Sequence, residues 1–399
     1  MATDPTLAFR TLEIPPESQV TMTTLRVIVD QMISPVPGGI GRYTEDLTRQ
    51  LILTSPDDCD VEGVVCASTP EKYASVIDRL PGLSALYKTT LPRRELAAAW
   101  QLGLTSLPGG GMVHATSLLA PLKRHDRSTN QNQVAVTIHD VVPWTHPETL
   151  TPHGVTWHKA MVIRARKHAD AIIVPTHAVA RALSEIMDFG DRVRVIGGAV
   201  SSELRLPTNA DARAAELELP REFILTVGTL EPRKGLTALI SGLGLPGAPD
   251  LPLLIVGPQG WGELDVAAVA DEAGLAEGRV RALGFVSDSD LALILSRATV
   301  FVYPSQAEGF GLPLLEAMSF GTPVVHSDAP ALVEVAGDAG HVVALNDAAG
   351  YPERLTAAIS RVLSDTSLNS TLRLRGLDRA RAFSWRDSAE RVWQLHADL

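Results

Sequence analysis

Two glutamates eight positions apart, Glu308 and Glu316 in the stretch EGFGLPLLEAMSFGTPVV (308–325), pose the first chemical question. Pro313 suits the first position of a helix, which leaves the backbone amides of Gly311 and Leu312 among the unpaired donors at its start. A helix start of this kind binds phosphate or diphosphate. Glu308 then lies on the preceding loop and Glu316 about one turn inside the helix, so the acids flank the phosphate position from different sides. Carboxylates are acceptors, and their natural partners beside a diphosphate are hydroxyls, a ribose on one side and a sugar on the other. One such acid alone would read as an incidental residue on an exposed helix; the compound pattern does not.

A second phosphate-type signal is VGTLEPRKG (227–235), where a buried strand ends in Gly228 and a loop delivers Arg233 and Lys234 at a helix start. Two cations beside a strand end suit a diphosphate leaving group, a solvated pair being the plainer reading. In PVPGGIGRY (35–43), Gly38, Gly39 and Gly41 precede a helix. The dinucleotide fingerprint fails there because Thr44 stands where the last glycine belongs, so close backbone approach to a ligand is the better use of the glycines. His139 and Asp140 follow the strand VAVTI, placing an imidazole able to donate to a sugar hydroxyl, with the acid to orient it or cap a turn. His114 in MVHATSLLAP has similar placement and a weaker case. The DSD of 288–290 matches a metal-binding D-x-D pattern but stands directly before LALILSRA, where Asp288 or Ser287 serves more simply as a helix cap. No cluster has metal spacing and no cofactor is called for.

These loops need strands to end at them, and the chain supplies strands twice over. LRVIVD (25–30), VEGVVCA, MVHAT, VAVTIHD and AIIVPT alternate with helical patterns at 39–53, PRRELAAAWQLGL, TWHKAMVIRARKHA and HAVARALSEIM, a doubly wound layout. The polar, proline-containing stretch 201–222 interrupts it before FILTVGT, LPLLIVG, VRALGFV, ATVFVYPS and TPVVHSD repeat the theme. The spacing predicts an α/β protein of two Rossmann-like domains facing a cleft: an unpatterned extension at 1–21 that folding does not require, a first domain at 22–205, a second at 206–384, and a last helix at 385–399. Ligands in such sheets bind beyond the strands' carboxyl ends, where Gly228, Gly257, Gly284 and Ser305 fall.

The 399 residues are 45% hydrophobic and 20% charged, ordinary for a folded globular chain. A net charge of -11 argues against a nucleic-acid binder. The acidic excess lies in the second half: residues 1–205 hold 20 Lys+Arg against 21 Asp+Glu, and residues 206–399 hold 15 against 25. With no apolar run long enough for a membrane span, no signal-peptide pattern, and only Cys59 and Cys66, the chain is expected in the cytoplasm. Basic residues interleaved with Trp157, Met161 and Ile163 read as a helix packed on its sheet with a solvated face, the other reading being peripheral contact with the inner face of an anionic membrane.

The chain from about Met22 resembles the retaining GT-B glycosyltransferases of family 4, through Glu308 and Glu316 in EGFGLPLLEA, the VGTLEPRKG loop, the glycines at 38–41 and the HD pair. The resemblance implies a nucleotide-sugar donor held mainly by the second domain and an acceptor (a glycan, a lipid-linked sugar or a small molecule) held mainly by the first. It further implies metal independence, retention of configuration, and a last helix crossing back to the first domain. Glu308 would contact the donor sugar, Glu316 the ribose, Arg233 and Lys234 the diphosphate, and His139 the sugar near the reacting carbon. Gly38 and Gly39 would lie against phosphates or acceptor. Gly228, Thr229 and Gly257, with Phe285 and Val286, would line the donor site. Gly309, Phe310, Gly311 and Leu312 would complete it. Thr229 departs from the family, which often carries arginine there. The wording of VGTLEPRKG looks most like bacterial mannosyltransferases of surface polysaccharides and tilts the donor toward GDP-mannose. No side chain stands out as a nucleophile, so attack by the acceptor on the leaving-group face is expected, with a phosphate oxygen as base. A retaining glycosidase would need no phosphate loops. A sugar-nucleotide epimerase and a non-catalytic nucleotide-sugar binder remain as alternatives.

Overall fold

The computed structural model describes residues 22–35, 38–107, 111–125, 132–260 and 264–399. The expected extension at 1–21 lies outside the described residues. The first sheet holds seven parallel strands: β1 (Thr23–Ile28), β2 (Cys59–Ala67), β3 (Ala85–Pro92), β4 (Met112–Ala115), β5 (Gln133–Thr137), β6 (Ala171–Val174) and β7 (Val193–Val195). Their spatial order is β3-β2-β1-β4-β5-β6-β7. The second sheet holds six: β8 (Ile224–Val227), β9 (Leu253–Val256), β10 (Val280–Gly284), β11 (Val300–Tyr303), β12 (Val324–Ser327) and β13 (Gly340–Val343), in the order β10-β9-β8-β11-β12-β13. Both are doubly wound parallel sheets, so the crevice where strand order reverses falls beside β1 and β4 in one and β8 and β11 in the other.

The central strands are predominantly apolar because both their faces are covered. Ile224, Val300 and Val302 pack into one cluster, while Leu225, Phe301 and Tyr303 pack into another on the opposite face. Successive side chains of an extended strand point to opposite sides, and each such residue buried contributes roughly 1.5–3 kcal/mol. The last helix, Trp385–Asp398, joins the core of the first sheet through Trp385, Ala389, Val392 and Trp393. The Trp393 indole donates to the Leu51 carbonyl at 3.2 Å. Within the polar stretch 201–222, read from sequence as an interruption, the chain forms a helix at Ala210–Glu216.

Candidate active site

The loops after β8, β9 and β11 are fitted together by glycines. A Cβ on Gly257 would collide with the Gly228 carbonyl oxygen, and one on Gly235, which has φ +68°, would collide with the carbonyl of Pro304. That packing presents a 3-10 turn, Pro232–Lys234, directly to the Ser305–Glu308 loop. Lys234 Nζ donates to Glu308 Oε1 at 2.5 Å and to the Tyr303 hydroxyl at 3.2 Å. Ser305 Oγ donates to the same Glu308 oxygen at 2.6 Å. Arg233 Nη1 donates to the Ala307 carbonyl at 2.9 Å and lies 3.5 Å from Glu308 Oε1. Burial opposes ionisation of Glu308, but Lys234 and Arg233 outweigh it and hold its carboxyl down at about 2. Glu308 is therefore a fixed anion, an acceptor and not a proton donor. Burial pulls the Lys234 ammonium down, with Glu308 opposing.

Thr229, where an arginine would be expected, donates from Oγ1 to Glu231 Oε1 at 2.7 Å, and Glu231 Oε2 accepts from Arg233 Nε at 3.1 Å. The threonine thus supports the carboxylate that orients the arginine. Sequence reasoning missed Glu231, although a carboxylate two residues before Arg233 was the available signal.

Glu316 lies in the helix Leu312–Ser319, with Pro313 one residue further inside than the spacing predicts. Gly311, at φ +95°, precedes it, and an added Cβ would meet the Leu332 side chain. Glu316 is 2% exposed. Its Oε1 accepts from Arg42 Nη1 at 2.9 Å, while Oε2 is buried with no hydrogen-bond partner among the described residues. Burial raises the Glu316 carboxyl above its ordinary range; Arg42 opposes this and Asp288 adds to it. Arg42 stands on the helix Gly38–Leu53 and also donates to Asp288 Oδ1, so it joins the first half of the chain to two helices of the second. Sequence reasoning passed over Arg42 although it directly follows the glycines.

Both acids of the D-x-D stretch are paired with arginines: Asp288 holds Arg42, and Asp290 takes a forked pair from Arg213 at 2.7 and 2.9 Å, while Ser287 Oγ just before them accepts from the Asp290 amide at 3.1 Å as the helix cap. Among the described residues no group of three His, Cys, Asp or Glu could hold a metal ion.

His139 follows β5, with its ring edge-on to Tyr43 at 4.8 Å. Burial lowers its pKa, so the ring is neutral. Its Nε2 lies 2.8 Å from the Thr116 carbonyl oxygen, which can only accept, so Nε2 carries the one proton and that proton is committed. The expectation that His139 donates to a sugar is therefore revised: the remaining ring nitrogen, Nδ1, can only accept. Asp140 Oδ1 accepts from the Val142 amide at 3.0 Å and caps a turn. His114 is wholly buried in β4 beside His396 of the last helix, burial pushing it down to about 3, and it has a packing role.

The two halves meet closely beside the site. A Cβ on Gly309 would collide with the His139 carbonyl oxygen, and Thr176 Oγ1 donates to the Gly309 carbonyl at 3.0 Å. Glu334 accepts from the His177 and Ala178 amides at 2.7 Å each. Phe310 is 8% exposed, edge-on to Phe383 and against side-chain-free Gly197, which leaves only its backbone to serve a ligand. Leu312 is half-buried and packs toward Gly198. Gly38, at φ +56°, and Gly39 sit inside the helix start with open space where side chains would stand. Phe285 is 83% exposed after β10, with Val286 half-buried beside it.

Residues 208–377, which contain the whole second sheet, match the family model described as glycosyl transferases group 1. The chain is 32% identical over 370 residues to O-antigen chain mannosyltransferase B of Escherichia coli, covering 87% of this chain and 92% of that one. It is 34% identical over 209 residues to the phosphatidyl-myo-inositol mannosyltransferase of Mycolicibacterium smegmatis, which spans 49% of this chain and 52% of the relative. Among solved structures, sucrose-phosphate synthase from Thermosynechococcus elongatus superposes with TM-score 0.73 at 23% identity, covering 94% of this chain and 98% of the other. Anabaena Alr3699/HepE, solved in complex with UDP-glucose, superposes with TM-score 0.69 at 18% identity, covering 94% and 100%. With two doubly wound sheets meeting at loops that gather Glu308, Glu316, Arg233 and Lys234, and with these relatives, the chain belongs to the glycosyl transferases of group 1, a hexosyltransferase of the GT-B fold.

Proposed function

We propose that the chain is a metal-independent, retaining mannosyltransferase that moves mannose from GDP-mannose to a hydroxyl of a glycan or lipid-linked acceptor. The observation that carries this reading is the cluster in which Arg233 and Lys234 meet Glu308 beside the start of the Leu312–Ser319 helix. As the glycosidic bond breaks, negative charge grows on the departing diphosphate, and fixed cations placed beforehand stabilise it without reorganisation. Glu308, held ionised, accepts from sugar hydroxyls as the ring gains oxocarbenium character. Glu316 accepts from the ribose. With Nδ1 as acceptor, His139 holds a sugar hydroxyl on the opposite wall. Glu308 is held among two cations and Glu316 is given to the ribose, and the acceptor attacks on the face the diphosphate leaves, a phosphate oxygen taking its proton. The mannose assignment is supported by the names of the Escherichia coli and Mycolicibacterium relatives.

Among the described residues no helix is long and apolar enough to cross a membrane. In the helix Pro152–His168, Met161 is buried, while Ile163, Arg166 and Lys167 are exposed and available to an anionic surface that carries a lipid-linked acceptor. The test is a panel of nucleotide sugars read by thermal stabilisation, in which a ligand at 100 times its dissociation constant adds roughly 2.7 kcal/mol. The best donor is then incubated with mannose-containing acceptors and the product's anomeric configuration read by NMR. Stabilisation by GDP-mannose and an α-linked product support the proposal; an inverted product or stabilisation by other donors alone overturns it.

A further inference from the structure

We propose that Arg42 is a positioning residue for donor binding: from the first half of the chain it holds Glu316 by one carboxylate oxygen and leaves the other to receive a ribose hydroxyl of the nucleotide. The inference rests on the reading of Glu316 as the ribose acceptor and extends it to a residue on the opposite side of the cleft.

Three observations carry it. First, Arg42 Nη1 donates to Glu316 Oε1 at 2.9 Å while Nη2 reaches Asp288, so the guanidinium is fixed between two carboxylates on different helices. A planar fork can do this and a single ammonium cannot do it equally well. Second, Glu316 Oε2 is buried without a partner among the described residues. A buried carboxylate oxygen left unpaired costs free energy, so the arrangement is complete only when a donor from outside the protein fills that position. Third, the charges facing Glu316 are unequal: Asp288 is a like charge that disfavours its ionised form, and Arg42 is the cation set against it, with Asp46 one helical turn beyond Arg42. Removing Arg42 leaves an acid in an apolar site beside another acid. It would take up a proton, and a protonated carboxyl is a poor acceptor.

The arrangement also couples the two halves. Nucleotide seated on the second sheet meets a Glu316 that is in the right state only while the Gly38–Leu53 helix is in place, so ribose recognition reports closure of the cleft.

The experiment is calorimetry of the full-length protein with GDP and UDP, each beside its 2′,3′-dideoxy form, on the unsubstituted protein, Arg42→Gln and Arg42→Lys, with melting temperatures as a check on folding. The tighter-binding base is used throughout. The unsubstituted protein should favour the ribo form by about tenfold or more, as a charge-assisted hydrogen bond predicts. Arg42→Gln should bind the dideoxy form as before and lose most of the preference for ribose; Arg42→Lys should keep part of it. Three results overturn the inference. If the unsubstituted protein does not distinguish ribose from dideoxyribose, the assignment of Glu316 to ribose fails and takes this inference with it. If it does distinguish them and Arg42→Gln distinguishes them equally, the ribose reading stands and Arg42 has no part in it. If Arg42→Gln weakens both forms equally, or tightens the ribo form, Arg42 acts on the phosphates or competes for the ribose position.

Discussion

Gly309 lies so close to the backbone carbonyl of His139 that a single added methyl group would overlap it. The contact joins the loop after β11 to the loop after β5, one from each sheet, beside the cluster of Arg233, Lys234 and Glu308. Replacing Gly309 with alanine should force the halves apart while leaving the second sheet's core intact. Transfer should fall by about tenfold or more, since small misplacements of reacting groups carry penalties of that order, while GDP affinity and melting temperature change little. Steady-state rates beside calorimetry check this; equal loss of both would place the damage within the donor site itself.

Glu308 is the counter-charge for a buried lysine, and its loss should be felt in stability as well as in transfer. Glu308→Gln leaves Lys234 buried beside Arg233 without the carboxylate it donates to, and breaking a buried pair in this way costs roughly 3–5 kcal/mol. A lowered denaturant midpoint with an unchanged slope would record it. The pH dependence follows from the same pair. In the folded chain Glu308 titrates at about 2, below its ordinary 4.5, so the unfolded chain binds the proton first as pH falls. Its contribution is complete above about 4.5 and fades as pH drops toward 2. Acid unfolding of Glu308→Gln should lack that component.

Chelation should leave turnover unchanged. Both acids of the D-x-D stretch are committed, Asp288 to Arg42 and Asp290 to Arg213, with Ser287 before them capping the helix. In the proposed reading the diphosphate charge is met by Arg233 and Lys234. Initial rates with and without EDTA, and with added magnesium or manganese, decide the point; activity lost in chelator and restored by metal would revive a metal-dependent mechanism.

The neutral state of His139 has a consequence for the pH profile. Burial holds its pKa below the ordinary 6.5 and Nε2–H is given to Thr116, so lowering the pH from 8 to 6.5 should not protonate it. His139→Asn should lower transfer yet leave the shape of that profile unaltered. A limb between pH 6.5 and 8 that vanishes in the variant would show His139 titrating during turnover.

What the sequence makes legible and what it hides divide along physical lines. Central strands such as AIIV (171–174) and LLIV (253–256) are buried on both faces and announce themselves as unbroken apolar runs. Three of the four edge strands do not: β3, ALYKTTLP, is half-exposed along its length, β7 has three residues, and β13, GHVV, buries only its last, so none of these carries a pattern that separates it from a loop, whereas the fourth, β10, is legible within VRALGFV. At the site, Glu308, Glu316, Arg233 and Lys234 are legible because each stands at a fixed offset from a strand end or helix start. Arg42 and Glu231 are not, because their roles depend on what another loop brings to them. The demand for glycine at 309 is likewise invisible locally, since its neighbour His139 is 170 positions away in the chain.

The division of labour between the two acids is tested most directly by the dissociation constant of GDP measured by calorimetry on Glu316→Gln and Glu308→Gln. A ribose contact exists in the bare diphosphate, so Glu316→Gln should weaken GDP by about tenfold to a hundredfold, the worth of a charge-assisted hydrogen bond. Glu308→Gln should not weaken GDP at all, because its partner is the absent sugar and its removal frees Arg233 and Lys234 for the phosphates. Equal weakening in both variants, or none in either, would contradict the assignment of one acid to the ribose and the other to the sugar.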